Sequence, residues 1–190
     1  MRAIIIIILM GIAGYLGYVL FNSVQEPILE KQERDIRTDA TVAKLKTIRA
    51  AQLAYKLNTG KYVSTFDSLV DFVKTGKYTV LKKIPNKEMS NDTIQVFDID
   101  TSYVSVLDSL FKGNTAELNE LMKVPYTDTV FVFKSGNIIK NETPIPAFEA
   151  KVRYGALYNG MIEKYYANIQ DKFLQVGSMV DGTTTGNWEK

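Results

Sequence analysis

The chain has 190 residues, with 23 Lys and Arg against 21 Asp and Glu, a net charge of +2, and neither cysteine nor histidine. Those absences exclude disulfides, thiolate and imidazole metal sites, cysteine nucleophiles and imidazole general bases. The near-neutral balance gives no electrostatic footprint for nucleic acid, no motif calls for a cofactor, and the length suits one domain of ordinary size.

The 46% of hydrophobic residues are unevenly spread. Residues 3–21, AIIIIILMGIAGYLGYVLF, contain no charge, Asn or Gln. At about 1.5 Å per helical residue this run covers roughly 28 Å, close to the hydrocarbon core of a bilayer. A cleaved signal peptide has a shorter apolar core followed by a small-x-small site. Asn22-Ser23-Val24-Gln25-Glu26-Pro27 offers no such site, so residues 1–22 read as an uncleaved anchor. Only Arg2 and the terminal amine precede it, and a large domain follows. That layout predicts a cytoplasmic N-terminus in the inner membrane and a periplasmic remainder, although the Lys and Arg of the flanks do not themselves decide orientation. Gly11, Gly14 and Gly17, with Ala13, form a small-residue patch that allows close helix–helix approach in lipid.

Residues 23–60 read as an amphipathic stalk. From 28 to 58 there is no Gly or Pro, and apolar or small residues recur near the helical period. Ile36, Ala40, Leu45, Ile48 and Tyr55 define the expected packing face, with Ala43 and Ala51 beside them. Asn58-Thr59-Gly60 supplies a stop. Pro27 fits either the first turn of a new helix or a kink in one long helix.

Residues 61–190 read as an α+β head. Ser64 or Thr65 caps a short helix over 66–74, and Gly76 follows its end. Residues 78–84 predict a strand, 85–92 a polar loop, 93–99 and 102–107 further β structure, and 115–122 a helical turn. From Thr129 an antiparallel meander is expected, with a turn at Ser135-Gly136-Asn137 and a strand over PAFEAKVRY. Tyr158, Met161 or Ile162, Tyr165, Ile169 and Phe173 have helical spacing, but aromatic residues suit a half-buried strand as well, so 156–173 fits either. The Gly/Thr-rich end, 177–190, reads as irregular, with its lone Trp188 docked on the chain itself.

Catalytic chemistry finds little support. Glu30/Glu33 and Glu117/Glu120 lie one helical turn apart but in polar surroundings typical of a solvated face. Asp98-Ile99-Asp100 opens like a calcium loop, but Tyr103 and Ser109 stand where an EF-hand has Gly and Glu. There is no Gly-rich phosphate loop.

Two resemblances follow. The membrane helix leading into Ile48-Arg49-Ala50-Ala51-Gln52-Leu53-Ala54-Tyr55, then Gly60-Lys61-Tyr62 and Phe66-Asp67-Ser68-Leu69, then an antiparallel sheet, is similar in plan to type IV pilins and pseudopilins. That family polymerises through its N-terminal helices. Its Gly–Phe peptidase site and early glutamate have no counterpart here, since no Gly precedes residue 11 and the span has no carboxylate. Closer in wording, Asp35 to Lys74, Val124-Pro125-Tyr126, Phe148-Glu149-Ala150-Lys151, Val176-Gly177-Ser178 and Gly186-Asn187-Trp188-Glu189 resemble a family of single-pass membrane proteins of Bacteroidota. This resemblance implies a cell-envelope protein facing the periplasm. Asp-Ser/Thr-aliphatic triplets, similar to the O-glycosylation motif of that phylum, occur at Ser68, Thr93, Ser109 and Thr129. Sequons also occur at Asn91 and Asn141.

The expectation is therefore a non-enzymatic, membrane-anchored structural subunit of a bacterial envelope assembly. Its partners would be the bilayer and other envelope proteins or further copies of itself, with no nucleic acid. A pilin-like filament subunit and an anchored glycan-acting enzyme using carboxylates are the alternatives.

Overall fold

The structure is a computed structural model and describes residues 2–85 and 97–189. The fold is α+β: one long N-terminal helix followed by two small antiparallel sheets with short helices. Helix α1 (Arg2–Thr59) has 58 residues and therefore extends roughly 87 Å at about 1.5 Å per residue. Pro27 lies inside it, so the chain forms one helix and not two. A proline there removes one backbone donor, and its ring crowds the carbonyl one turn back. The helix stops where expected: Gly60 takes a left-handed φ of 75° and its N–H bonds to the Lys56 carbonyl at 2.8 Å.

α1 is long and apolar enough to cross a membrane, and none of its apolar stretch is buried. The head begins near Pro27, the first half-buried position, and uses the rest of α1 as its spine. Leu45 and Ile48 are fully buried there. They pack with Phe66, Leu69 and Val73 of α2 (Phe66–Thr75), whose N-cap is Thr65. Strand β1 (Lys77–Pro85) pairs antiparallel with β2 (Phe97–Ser105), from Lys77 opposite Ser105 to Pro85 opposite Phe97. Ser105 then caps α3 (Val106–Phe111), so Val106 and Leu107 are helical, against the strand expected over 102–107. A serine followed three residues later by an aspartate is a helix start that outweighs the β propensity of Val106. Helix α4 (Thr115–Asn119) is capped by Asn114. The loop expected over 85–92 and most of the strand over 93–99 lie outside the described residues.

The second sheet has the order β3-β4-β5. Strand β3 (Val132–Lys140) runs straight through Ser135-Gly136-Asn137, which therefore does not turn. The reversal comes at Asn141 and Glu142, with φ values of 49° and 64°. Two consecutive left-handed residues form the two-residue hairpin turn whose twist matches the strands. Strand β4 (Thr143–Arg153) is central and directs Phe148, Ala150 and Val152 into the core. After the short helix α5 (Tyr154–Leu157), residues 158–172 form turns and a single 3-10 turn at Glu163–Tyr165. Neither the long helix nor the strand compatible with 156–173 is present. Strand β5 (Phe173–Gly177) closes the sheet beside β4. The final segment folds back along it, bridged at Val176 and Gly186, and places Trp188 against the core.

Candidate functional site

The buried face of α1 changes chemistry along its length. Near its middle it is aliphatic, through Leu45 and Ile48. Closer to the apolar N-terminal stretch it is polar, because the turns of 157–166 present backbone carbonyls and the Tyr158 hydroxyl. Arg34 donates to the Tyr165 carbonyl at 2.7 Å, and Arg37 to those of Leu157 and Asn159 at 3.4 and 3.1 Å. Thr38 bonds the Tyr158 hydroxyl at 2.8 Å. Burial pushes the Tyr154 and Tyr158 phenols up, so both stay neutral. This polarity corrects the expected packing face. Ile36 is 52% exposed and lies away from the head, since carbonyls call for donors and not an aliphatic residue. Ala40 is half-buried beside a groove, and Tyr55 packs edge-on to Phe72 with ring centroids 5.0 Å apart.

Two grooves flank the exposed side of α1. One, of about 460 Å³, lies between Ala40, Ala43 and Thr47 and the segment Glu117–Tyr126. Lys44 closes one edge by donating to the carbonyls of Glu120 and Lys123 at 2.7 and 2.9 Å, and burial lowers its pKa. The other, of about 270 Å³, lies between Ala50, Leu53 and Leu57 and the side chains Tyr78 and Leu110. Positions 40, 43, 47, 50, 54 and 57 follow a three–four spacing, so both grooves share one side of the helix. Leu57 at its far end is 81% exposed. In the apolar N-terminal stretch of α1, Gly11, Gly14 and Gly17 have nothing within 4 Å of an added Cβ.

At the other end of the head, Glu26 receives Lys164 at 2.5 Å and the Tyr165 hydroxyl at 2.9 Å. Those bonds hold the Glu26 carboxyl below its usual range and keep it ionised. Tyr18, Val19, Asn22 and Ser23 complete a notch of about 330 Å³ at this junction. Sequence reading missed it, because Lys164 and Tyr165 are distant in the chain and no local pattern links them to Glu26.

In each of the two carboxylate pairs one member is held in a surface ion pair. Glu33 pairs with Arg37 at 2.9 Å and Glu120 with Lys123 at 2.7 Å. Among the described residues no group of three or more Asp and Glu converges on a point able to hold a metal. Of the candidate glycosylation positions, Ser68, Ser109 and Thr129 are all exposed. Ser68 accepts from Thr65 at 2.8 Å, Ser109 from the Tyr78 hydroxyl, and Thr129 shares a bond with Thr127 at 2.8 Å. Thr93 lies outside the described residues.

No family model, curated protein or solved structure matches this chain.

Proposed function

We propose that the protein is a non-enzymatic structural subunit of a bacterial cell-envelope assembly. Residues 1–22 anchor it in the inner membrane with the N-terminus in the cytoplasm, and the head faces the periplasm. The supporting observation is that α1 has two jobs on two sides. One side is the spine of the head, while the other leaves open grooves lined by Ala43, Ala50 and Leu57. Small residues at this spacing let another helix or strand approach the backbone closely. The partners that fit are other envelope proteins or further copies of this chain. The sequence resemblance to single-pass membrane proteins of Bacteroidota favours the same setting.

The test is the size of the native complex extracted in mild detergent. A species larger than one chain is expected, and Ala43→Arg or Leu57→Arg should dissociate it while leaving the thermal midpoint within a few degrees of wild type. A monodisperse monomer with no partner would overturn the proposal.

A pilin-like filament subunit is the second reading. It is favoured by the unbroken helix from Arg2 to Thr59 with an α+β head on its distal half. Mass spectrometry of the mature N-terminus separates the two, because an intact Met1 removes prepilin processing. The anchored-hydrolase reading gains no support from the ion-paired, exposed carboxylates.

A further inference from the structure

The notch at the junction of span and head has a defined depth. The apolar run ends at Phe21, and Glu26 lies five residues on, roughly 7.5 Å further along the helix. The headgroup zone of one leaflet is about 5–7.5 Å thick. If residues 3–21 fill the hydrocarbon core, as the proposed function holds, then Asn22, Ser23 and the Glu26–Lys164 pair stand at headgroup level. Tyr18 lies one turn deeper, and Tyr165 is placed as interfacial aromatic residues are.

The ion pair at this level has unused capacity. Glu26 Oε1 takes both bonds, from Lys164 and Tyr165, while Oε2 accepts none among the described residues. The Lys164 ammonium has three donors and gives one to Glu26. Its side chain is 60% exposed. The pair therefore presents a cation and an anion side by side, with no net charge, at the edge of a concave polar surface.

We propose that this notch binds the headgroup of a zwitterionic phospholipid carrying a primary ammonium, with the phosphate on Lys164 and the ammonium on Glu26. The headgroup is itself a cation and an anion two carbons apart, and it complements the pair charge for charge. The Asn22 amide and Ser23 hydroxyl supply neutral donors for the phosphate. A quaternary choline has no N–H for Glu26, and a glycerol headgroup has no cation for it, so both fit less well. Bound this way, the lipid ties the head to the membrane at a second point beside the helix, which restrains how the head leans.

The experiment uses the full chain in detergent micelles doped with phosphatidylethanolamine, phosphatidylcholine or phosphatidylglycerol, read by native mass spectrometry. Wild type should retain phosphatidylethanolamine about tenfold more than either of the others. Glu26→Gln and Lys164→Ala should each remove that preference, with circular dichroism and Trp188 fluorescence unchanged. Equal retention of the three lipids, or a preference that survives both substitutions, would overturn the proposal. Soluble glycerophosphoethanolamine, added without lipid, distinguishes the source: no measurable binding supports a membrane lipid, and binding as strong as that of the lipid overturns it. Alkaline extraction of cell membranes separates this inference from the anchoring on which it rests. Chain in the pellet without lipid preference defeats the headgroup site alone, and chain in the supernatant defeats both.

Discussion

Gln52 sits in the middle of α1, fully buried, at a position where helical spacing would place an aliphatic residue. Its amide nitrogen donates to the Val63 carbonyl at 3.3 Å, and its amide oxygen accepts from the Val63 N–H at 3.0 Å. It thus mimics a backbone neighbour for the loop that turns out of the helix. Ser135 also donates to the Val63 carbonyl, at 2.6 Å, so that oxygen has a second partner and the N–H does not. Gln52→Ala leaves a buried N–H unsatisfied, and a loss of about 1–3 kcal/mol is expected, read as a shift in the denaturant midpoint. Leu45→Ala truncates one of the two fully buried large aliphatic side chains of the same helix face and should cost about 2–5 kcal/mol. Leu45 and Ile48 were legible from periodicity, because aliphatic residues at helical spacing have one dominant use. Gln52 was not, because its role depends on a loop whose position only tertiary packing sets. Ile36 was misread for the related reason that the face opposite the head's carbonyls selects Arg34, Arg37 and Thr38 instead.

Among the elements, the helices announced themselves by their ends. Thr65, Gly60 and Gly76 mark boundaries by local chemistry, and the structure places helix ends at each. The hairpin β3–β4 did not. Ser135-Gly136-Asn137 has the composition of a turn, but the actual reversal uses Asn141-Glu142, where a glutamate accepts a left-handed φ because the pairing on both sides fixes it. The C-terminal segment is a further case of structure held by distant contacts. Trp188 packs on the core over Gly186, where a Cβ would overlap the ring. Glu189 receives Arg49 of α1 at 2.8 and 3.0 Å and the Gly186 N–H at 3.2 Å. Those bonds lower the Glu189 pKa, chiefly through Arg49. A carboxyl with a depressed folded-state pKa contributes stability above its ordinary range and loses it as pH falls through the folded value. Acidification below the usual carboxylate range should therefore release the tail before the head unfolds. As the only tryptophan, Trp188 reports this directly: its emission should shift red at a pH where far-ultraviolet circular dichroism is unchanged. Glu189→Gln should flatten that step, and Gly186→Ala should give the shifted emission already at neutral pH.

At the scale of the whole molecule, α1 divides into a part that lies outside the core of the head and a part that the head does not fold without. Residues 4–25 contribute nothing to the core, whereas Leu45, Ile48, Ala51 and Gln52 lie at its centre. Fully burying one large aliphatic side chain contributes about 1.5–3 kcal/mol, and domains of this size are stable by about 5–15 kcal/mol in all. Losing Leu45 and Ile48 together with the Gln52 hydrogen bonds removes an amount comparable to the entire margin. Two truncations should then part sharply. A chain beginning at Glu26 keeps the Lys164 contact, the Arg34 and Arg37 bonds and every core residue. It should be soluble without detergent and melt cooperatively within a few degrees of the full-length protein. A chain beginning at Lys61 follows the boundary between stalk and head that composition suggests, yet it discards the spine. It should show no cooperative transition by circular dichroism and exchange its β4 and β5 amides without protection. If the chain from Lys61 folded cooperatively, α1 would be a stalk carrying an independent head, and the shared core from Leu45 to Val176 would not be what holds the molecule together.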